Sequence, residues 1–329
     1  MSYPSGKVSG VNAPTAPDSG TAAAWLPAFG SNVLIWGASF VFIKYGVLEM
    51  PAIWVGALRI ALGAATLLVI MLVMKERLPR DPRIWAHMLV PGVIGVAVPF
   101  TLFPLGEERV PSLVAGIWNA TTALWVLPFA VFVFRTERFR ARSTVGLLLG
   151  FAGVLVVLGF WRTGGAALSG QLMCALAAFC YGIAIPYMKR FTTGRGISGI
   201  SLATAQSLVA MVAIVPVALL TQGLPPAPGT LSAQAIGSVL ALGIFGSGVA
   251  FALNMRVIIQ AGASTAAFVT YLVPLVSTTL GIVLLGESLT WNLPVGAAIV
   301  LTGVAIAQGM LRLPRRAALP EGAVADWAP

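Results

Sequence analysis

Two cations interrupt apolar runs of this chain. Arg59 sits about four residues from the middle of the run 52–74. Lys44 lies inside the stretch 35-IWGASFVFIKYGV-47. An arginine at the centre of a bilayer helix costs about 2.5–3.5 kcal/mol on insertion scales, so such a residue faces a bundle interior or water. Two chemistries suit Arg59. Its guanidinium can cap carbonyls freed by a break in a neighbouring helix, or it can hold a substrate carboxylate or phosphate. Lys44 stands seven residues beyond Gly37, roughly 10 Å further along a helix. Its stem can follow apolar surface while the ammonium reaches the interface. The other reading is a charge at the outer mouth of a pathway. Lys189 closes the similar stretch 180-CYGIAIPYMKR-190 and would mark the inner end, where a cation also anchors a helix.

Around these charges lies a neutral polar set: Asn32, Thr101, Asn119, Thr121, Tyr181, Gln206, Ser247, Asn254, Thr270 and Tyr271. Trp36, Phe40, Phe103, Trp118 and Phe251 add aromatic surface. Asn32, Trp36 and Phe40 are spaced i, i+4, i+8 and share one helix face. Phe251 and Asn254 are spaced i, i+3, and Ser247 joins their face. Apolar walls with a few amides and hydroxyls suit a small amphipathic solute. The same groups can instead bond helix to helix, at about 0.6 kcal/mol each. The expectation is a substrate cavity built from Asn32, Trp36, Phe40, Phe103, Trp118, Asn119, Tyr181, Ser247, Phe251, Asn254, Thr270 and Tyr271. Lys44, Arg59 and Lys189 serve as pathway or structural charges.

All ten acids, Glu49, Glu107, Glu108, Glu137 and Glu287 among them, fall in tails, loops or helix ends. Proton-driven carriers commonly relay protons through buried carboxylates. The expectation is therefore facilitated transport or exchange. The one histidine, His87, cannot build a usual zinc site. No cluster of His, Asp and Glu supports an intramembrane enzyme, which is the alternative from another class. No metal or cofactor is expected.

The elements that must position these residues are membrane helices. Of 329 residues, 58% are hydrophobic and 9% charged, with a mean hydropathy of +0.93. Soluble domains carry about 25% charged residues. The net charge of +10 sits in short clusters between apolar runs, which argues against a nucleic-acid surface. A crossing needs about 20 apolar residues. Ten runs qualify: 26–47, 52–74, 85–105, 111–134, 144–161, 167–188, 199–220, 233–255, 262–285 and 291–311. Residues 1–24 and 313–329 read as unstructured tails, rich in Pro, Ala and Gly. Cys174 and Cys180, six apart in one run, read as buried thiols with no local disulfide.

With a cytoplasmic N-terminus, sixteen Lys and Arg fall in inner segments and only Arg109 and Arg162 in outer ones. The positive-inside rule then places both termini in the cytoplasm. The chain also repeats. Trp36, Gly37 and Lys44 match Tyr181, Gly182 and Lys189 at offset 145. Glu137, Gly146 and Gly153 match Glu287, Gly296 and Gly303 at offset 150. Five spans per half is an odd number, so the halves, 25–162 and 163–312, enter from opposite sides. That is the inverted repeat of secondary transporters, with the site between the halves at the midplane.

The Trp-Gly-x-Ser-Phe…Lys opening, the Arg within span two and the Gly-Glu-x-Leu…Gly…Gly ending resemble the EamA domain of the drug/metabolite transporter superfamily. One departure is Thr136, where that pattern has Gly before the Glu. The resemblance implies an all-α membrane protein with ten transmembrane helices in two inverted-topology five-helix repeats. It implies a bacterial inner-membrane exporter of small metabolites, foremost amino acids and among them aromatic ones. Cationic-drug efflux is the alternative within transport, and the lack of a buried acid argues against it. The expected partners are a small-molecule substrate and the lipid bilayer, with no nucleic acid, and the protein is a monomer or homodimer. This topology is directly testable. A cysteine replacing Arg80 is expected to react with impermeant thiol reagents only from the cytoplasmic side, and one replacing Thr290 only from outside. Labelling of both from one side would contradict the inverted repeat.

Overall fold

A computed structural model describes residues 24–137, 141–158, 166–192, 195–261 and 263–308. The expected tails lie almost wholly outside these residues. The described elements are helices, with no strand among them. We label them α1 (Leu26–Val47), α2 (Ala52–Val73), α3 (Pro82–Glu107), α4 (Ser112–Val133) and α5 (Ala141–Leu158). The second half supplies α6 (Ala166–Phe191), α7 (Gly199–Gln222), α8 (Ala233–Ala261), α9 (Ala263–Leu285) and α10 (Asn292–Gln308). Seven described segments are long and apolar enough to cross a membrane. Thr144–Val157, Leu272–Leu285 and Asn292–Ile306 are shorter apolar helices, lying in the fifth, ninth and tenth expected spans.

Three of the helices start where a side chain supplies the cap. Asp81 accepts from Arg83 N at 2.8 Å at the start of α3, and Ser198 accepts from Ser201 N at 3.2 Å at the start of α7. Ser232 accepts from Ala235 N at 3.1 Å at the start of α8. These bonds satisfy donors that a helix N-terminus otherwise leaves open. Side chains such as Val73, Leu148, Leu220 and Val283 are left exposed, as lipid contact requires.

Two of the long helices are not regular. α3 is π-helical over Val90–Ala97, and α8 over Ala241–Val249. The two segments occupy equivalent places in the repeats, 151 residues apart at their starts. α4 ends in a third, Phe129–Val133, just after Pro128. Hydrophobic spacing alone does not signal these segments. Pro91 removes a donor in the first. The second has no proline and carries Gly243, Gly246 and Gly248 instead. Widened turns of this kind loosen the regular backbone pairing and concentrate at functional sites.

The repeat also explains the Thr136 departure. Gly286, before Glu287, has φ 64°. In the first half the left-handed position moves one residue earlier, to Arg135 at φ 53°. The turn is thus kept without a glycine.

α1 packs on α9, α2 on α7 and α8, and α3 and α4 on α6; one apolar cluster joins α1, α4, α6 and α9, and another fills the contact of α2 and α3 with α7. α5 and α10 pack chiefly on each other. Their contact is a glycine seam. A Cβ on Gly303 would lie 2.5 Å from Gly150 N, and one on Gly153 would lie 2.6 Å from Val300 N. Small residues let membrane helices approach to backbone distance. Gly303→Ala is therefore expected to cost about 1–3 kcal/mol by overpacking. Gly30→Ala, inside α1 with nothing within 4 Å of the new methyl, is expected to keep stability or raise it by up to about 1 kcal/mol through helix propensity. Thermal unfolding of the purified protein in detergent checks the contrast.

Candidate functional site

Arg59 is held by a helix that touches its neighbours through glycine. A Cβ on Gly56 would lie 2.4 Å from Phe100 O, and one on Gly63 would lie 2.6 Å from Ser247 Cβ. α2 therefore lies against α3 on one side and the π segment of α8 on the other. The Arg59 side chain, 7% exposed, is inserted between them. Its Nε donates to Ser247 Oγ at 3.1 Å, and its guanidinium carbon stands 4.0 Å from the Phe100 ring centroid. Stacking on an aromatic face stabilises a buried cation. No carboxylate among the described residues lies within ion-pair distance of Arg59. Its hydrogen bond goes to a hydroxyl and not to a freed carbonyl, which departs from the capping chemistry considered for it.

Arg59 faces a cavity of about 280 Å³ between the two halves. From the expected set, Trp36, Phe40, Phe103, Asn119, Tyr181, Phe251 and Thr270 line it. The aromatic walls hold one another. Phe40 and Phe103 make an edge contact at 5.5 Å, Phe103 and Tyr181 lie 6.2 Å apart, and Trp36 meets Phe251 at 6.1 Å. Trp36 Nε1 donates to Gly246 O at 3.1 Å, a carbonyl inside the π segment. That bond fixes the indole at the wall. Sequence reasoning missed Ser39, Gly95, Phe100, Thr122, Ile185 and Met188 as lining residues. Ser39 lies three residues after Trp36, which could have found it by helical spacing. Phe100 carries no such signal.

The other expected residues stand elsewhere. Asn32 donates to Asn254 at 3.3 Å, one helical turn from the cavity wall, so these two join α1 to α8. Ser247 positions Arg59. Trp118 is buried and donates to Gln171 at 3.3 Å. Gln206 donates to Pro91 O at 3.3 Å in the α3 π segment and also reaches the cavity. Thr101 and Thr121 bond carbonyls of their own helices. The Tyr271 side chain lies outside the described residues. A second, apolar cavity of about 450 Å³, bordered by Ile70, Met74, Leu253 and Met255, contains none of the expected site residues.

Lys44 neither snorkels nor lines the cavity. Its ammonium donates to the backbone oxygen of Glu107 and to Val110 O at 3.3 Å, so it caps the C-terminal end of α3. A cation there meets the negative end of the helix. Glu287 completes the turn from the other side. It accepts from Ser112 N at 2.6 Å, Leu113 N at 3.0 Å and Ser112 Oγ at 3.1 Å, at the start of α4. The 108–111 turn is thus clamped by a lysine of one half and a glutamate of the other. The repeat-related pair behaves differently: Lys189 Nζ meets Glu137 directly at 3.1 Å, with side chains 55% and 47% exposed.

Glu107 is the acid that sequence position alone misjudged. It is the last residue of α3, a helix end as expected, yet it is fully buried, and neither carboxyl oxygen has a hydrogen-bond partner among the described residues. The premise that this chain lacks a buried acid does not hold.

The profile of the EamA-like transporter family matches residues 25–159 and 168–308. The chain belongs to that family and carries two copies of its domain. It is 25% identical to the uncharacterized transporter YoaV of Bacillus subtilis, over 83% of this chain and 93% of the relative. It is 27% identical to the uncharacterized inner membrane transporter YedA of Escherichia coli K12, over 80% and 85%. A protein of Salmonella typhimurium named a probable amino-acid metabolite efflux pump is 25% identical, over 83% and 91%. A solved crystal structure shares the fold at a TM-score of 0.62 and 21% identity, covering 88% of this chain and 99% of that one. This is an integral membrane transporter.

The two clamps differ in burial and so in expected energy. Glu287→Ala is expected to cost about 0.5–2 kcal/mol, the usual loss for an N-terminal cap. Lys189→Gln is expected to change stability by no more than about 0.5 kcal/mol, as for an exposed ion pair. Thermal unfolding in detergent at low salt measures both.

Proposed function

We propose that this protein exports small amphipathic metabolites that carry a carboxylate, foremost amino acids with aromatic side chains, by alternating access across the bacterial inner membrane. The observation that carries this reading is the buried Arg59 guanidinium without a carboxylate partner, facing a cavity walled by aromatic rings. A buried cation is costly unless paired. A substrate carboxylate at Arg59 would supply the missing partner through charge-assisted hydrogen bonds. Trp36, Phe40, Phe103 and Phe251 would pack on an apolar or aromatic body, and Asn119, Thr122 and Thr270 would meet its remaining polar groups. The name of the Salmonella relative, a probable amino-acid metabolite efflux pump, agrees with this substrate class.

Cation efflux is the weaker reading, because no acid among the described residues lines the cavity and Arg59 gives it a positive formal charge. The reading takes the expected ten spans as two inverted five-helix halves with cytoplasmic termini. The matched π segments and the clamps exchanged between halves are in keeping with that symmetry. We assign the protein no catalytic role.

Counterflow in liposomes tests the reading. Wild-type protein is expected to drive saturable exchange of labelled L-phenylalanine. Arg59→Gln is expected to weaken it roughly tenfold or more, the equivalent of about 1.5–3 kcal/mol for a lost charge-assisted bond, in a protein that still expresses and unfolds cooperatively. Undiminished exchange by Arg59→Gln, or preference for phenethylamine over phenylalanine, would overturn the substrate class.

A further inference from the structure

We propose that Glu107 is a proton-binding site coupled to Arg59, so that a carboxylate entering the cavity is accompanied by a proton on Glu107. The coupling rests on the anion site proposed above; the proton site does not. Glu107 stands apart from the cavity lining and has no other evident task. Its backbone carbonyl holds Lys44, but its carboxyl holds nothing. Glu287, by contrast, satisfies three donors with its two oxygens. A fully buried carboxyl without donors is a poor place for a lasting negative charge and a good place for an exchangeable proton.

The surroundings define what that proton would answer to. The charged groups within electrostatic reach of the carboxyl are Lys44 on α1, Arg59 on α2 and Glu287 after α9. From α6 the buried thiol of Cys174 packs against Gly106. α4 presents no titratable residue between Ser112 and Ala120, and neither does the π segment of α3. Glu108 is exposed on the following turn. Arg109 is turned away, donating to Leu105 O and Met173 Sδ.

The charge balance then permits two neutral states. With the cavity empty, Lys44 and Arg59 are balanced by Glu287 and an ionised Glu107. With a carboxylate at Arg59, balance returns when Glu107 takes a proton from solvent. No bond other than O–H forms, and the proton leaves when the carboxylate leaves. The linkage is reciprocal: a proton on Glu107 strengthens carboxylate binding by the same factor.

Infrared difference spectroscopy on the full chain in lipid tests this with 3-phenylpropionate as the probe and 3-phenylpropionamide as its uncharged control. Stepping between about pH 5 and pH 8 is expected to change a protonated-carboxyl C=O band that is lost in Glu107→Gln and shifted in Glu107→Asp. At fixed pH, 3-phenylpropionate is expected to increase that band and to draw about one proton per bound ligand from a weakly buffered indicator solution, while the amide does neither. Absence of any Glu107-dependent band under both stimuli overturns the proposal. A band that answers to pH but not to bound 3-phenylpropionate overturns the coupling. Failure of 3-phenylpropionate to bind, with the pH-dependent band intact, overturns the anion site and leaves Glu107 established as the proton site. Should Glu107→Gln fail to fold, the Glu107→Asp shift and the wild-type proton uptake decide the same question.

Discussion

A guanidinium held inside a membrane protein with no carboxylate partner among the described residues is the constraint on which the rest of this structure turns. Placing it there is unfavourable, and the chain supports it with few means: one hydroxyl, one aromatic face and close helix contacts. Those means dictate the neighbourhood. Gly56 and Gly63 let α2 approach α3 and α8 to backbone distance, and any side chain at either would push them apart. The π segment of α8 brings Ser247 to Arg59 and leaves Gly246 O for Trp36. The α8 π segment, the glycines of α2 and the cavity wall all meet at this one buried charge.

The ends of the cavity helices are controlled by a second set of charges, which hold a turn and not the cavity wall. Lys44 and Glu287 come from opposite halves and grip the α3–α4 turn from its two sides. Their repeat mates, Lys189 and Glu137, meet as an exposed pair. Related residues thus do different work in the two halves, one clamp buried in helix ends and the other wet. Two copies of one fold in different local arrangements are what an alternating carrier requires.

Much of this was legible in the sequence, for definite reasons. The face of Asn32, Trp36 and Phe40 follows from helical spacing, and two of the three line the cavity. Gly146, Gly153, Gly296 and Gly303 repeat at a fixed offset because two helices must touch there. The burial of Arg59 followed from the cost of its charge. What stayed hidden depends on tertiary position. Phe100 reads as one more apolar residue until Arg59 is above it. Nothing local announces a π turn in a glycine-rich run such as 241–249. Lys44 looked like an interfacial anchor because its carbonyl partners lie 63 and 66 residues away. Glu107 looked like a loop acid because a helix end near the aqueous side is usually wet, and here the neighbouring helices cover it.

The central claim is that Arg59 recognises a carboxylate. A double-mutant cycle by calorimetry tests it most directly, pairing wild-type and Arg59→Gln protein with 3-phenylpropionate and its amide. The account predicts a coupling of about 1.5–3 kcal/mol, so that removing either partner costs nearly as much as removing both. Additive losses, within about 0.3–0.5 kcal/mol, would show that guanidinium and carboxylate do not meet and would contradict it.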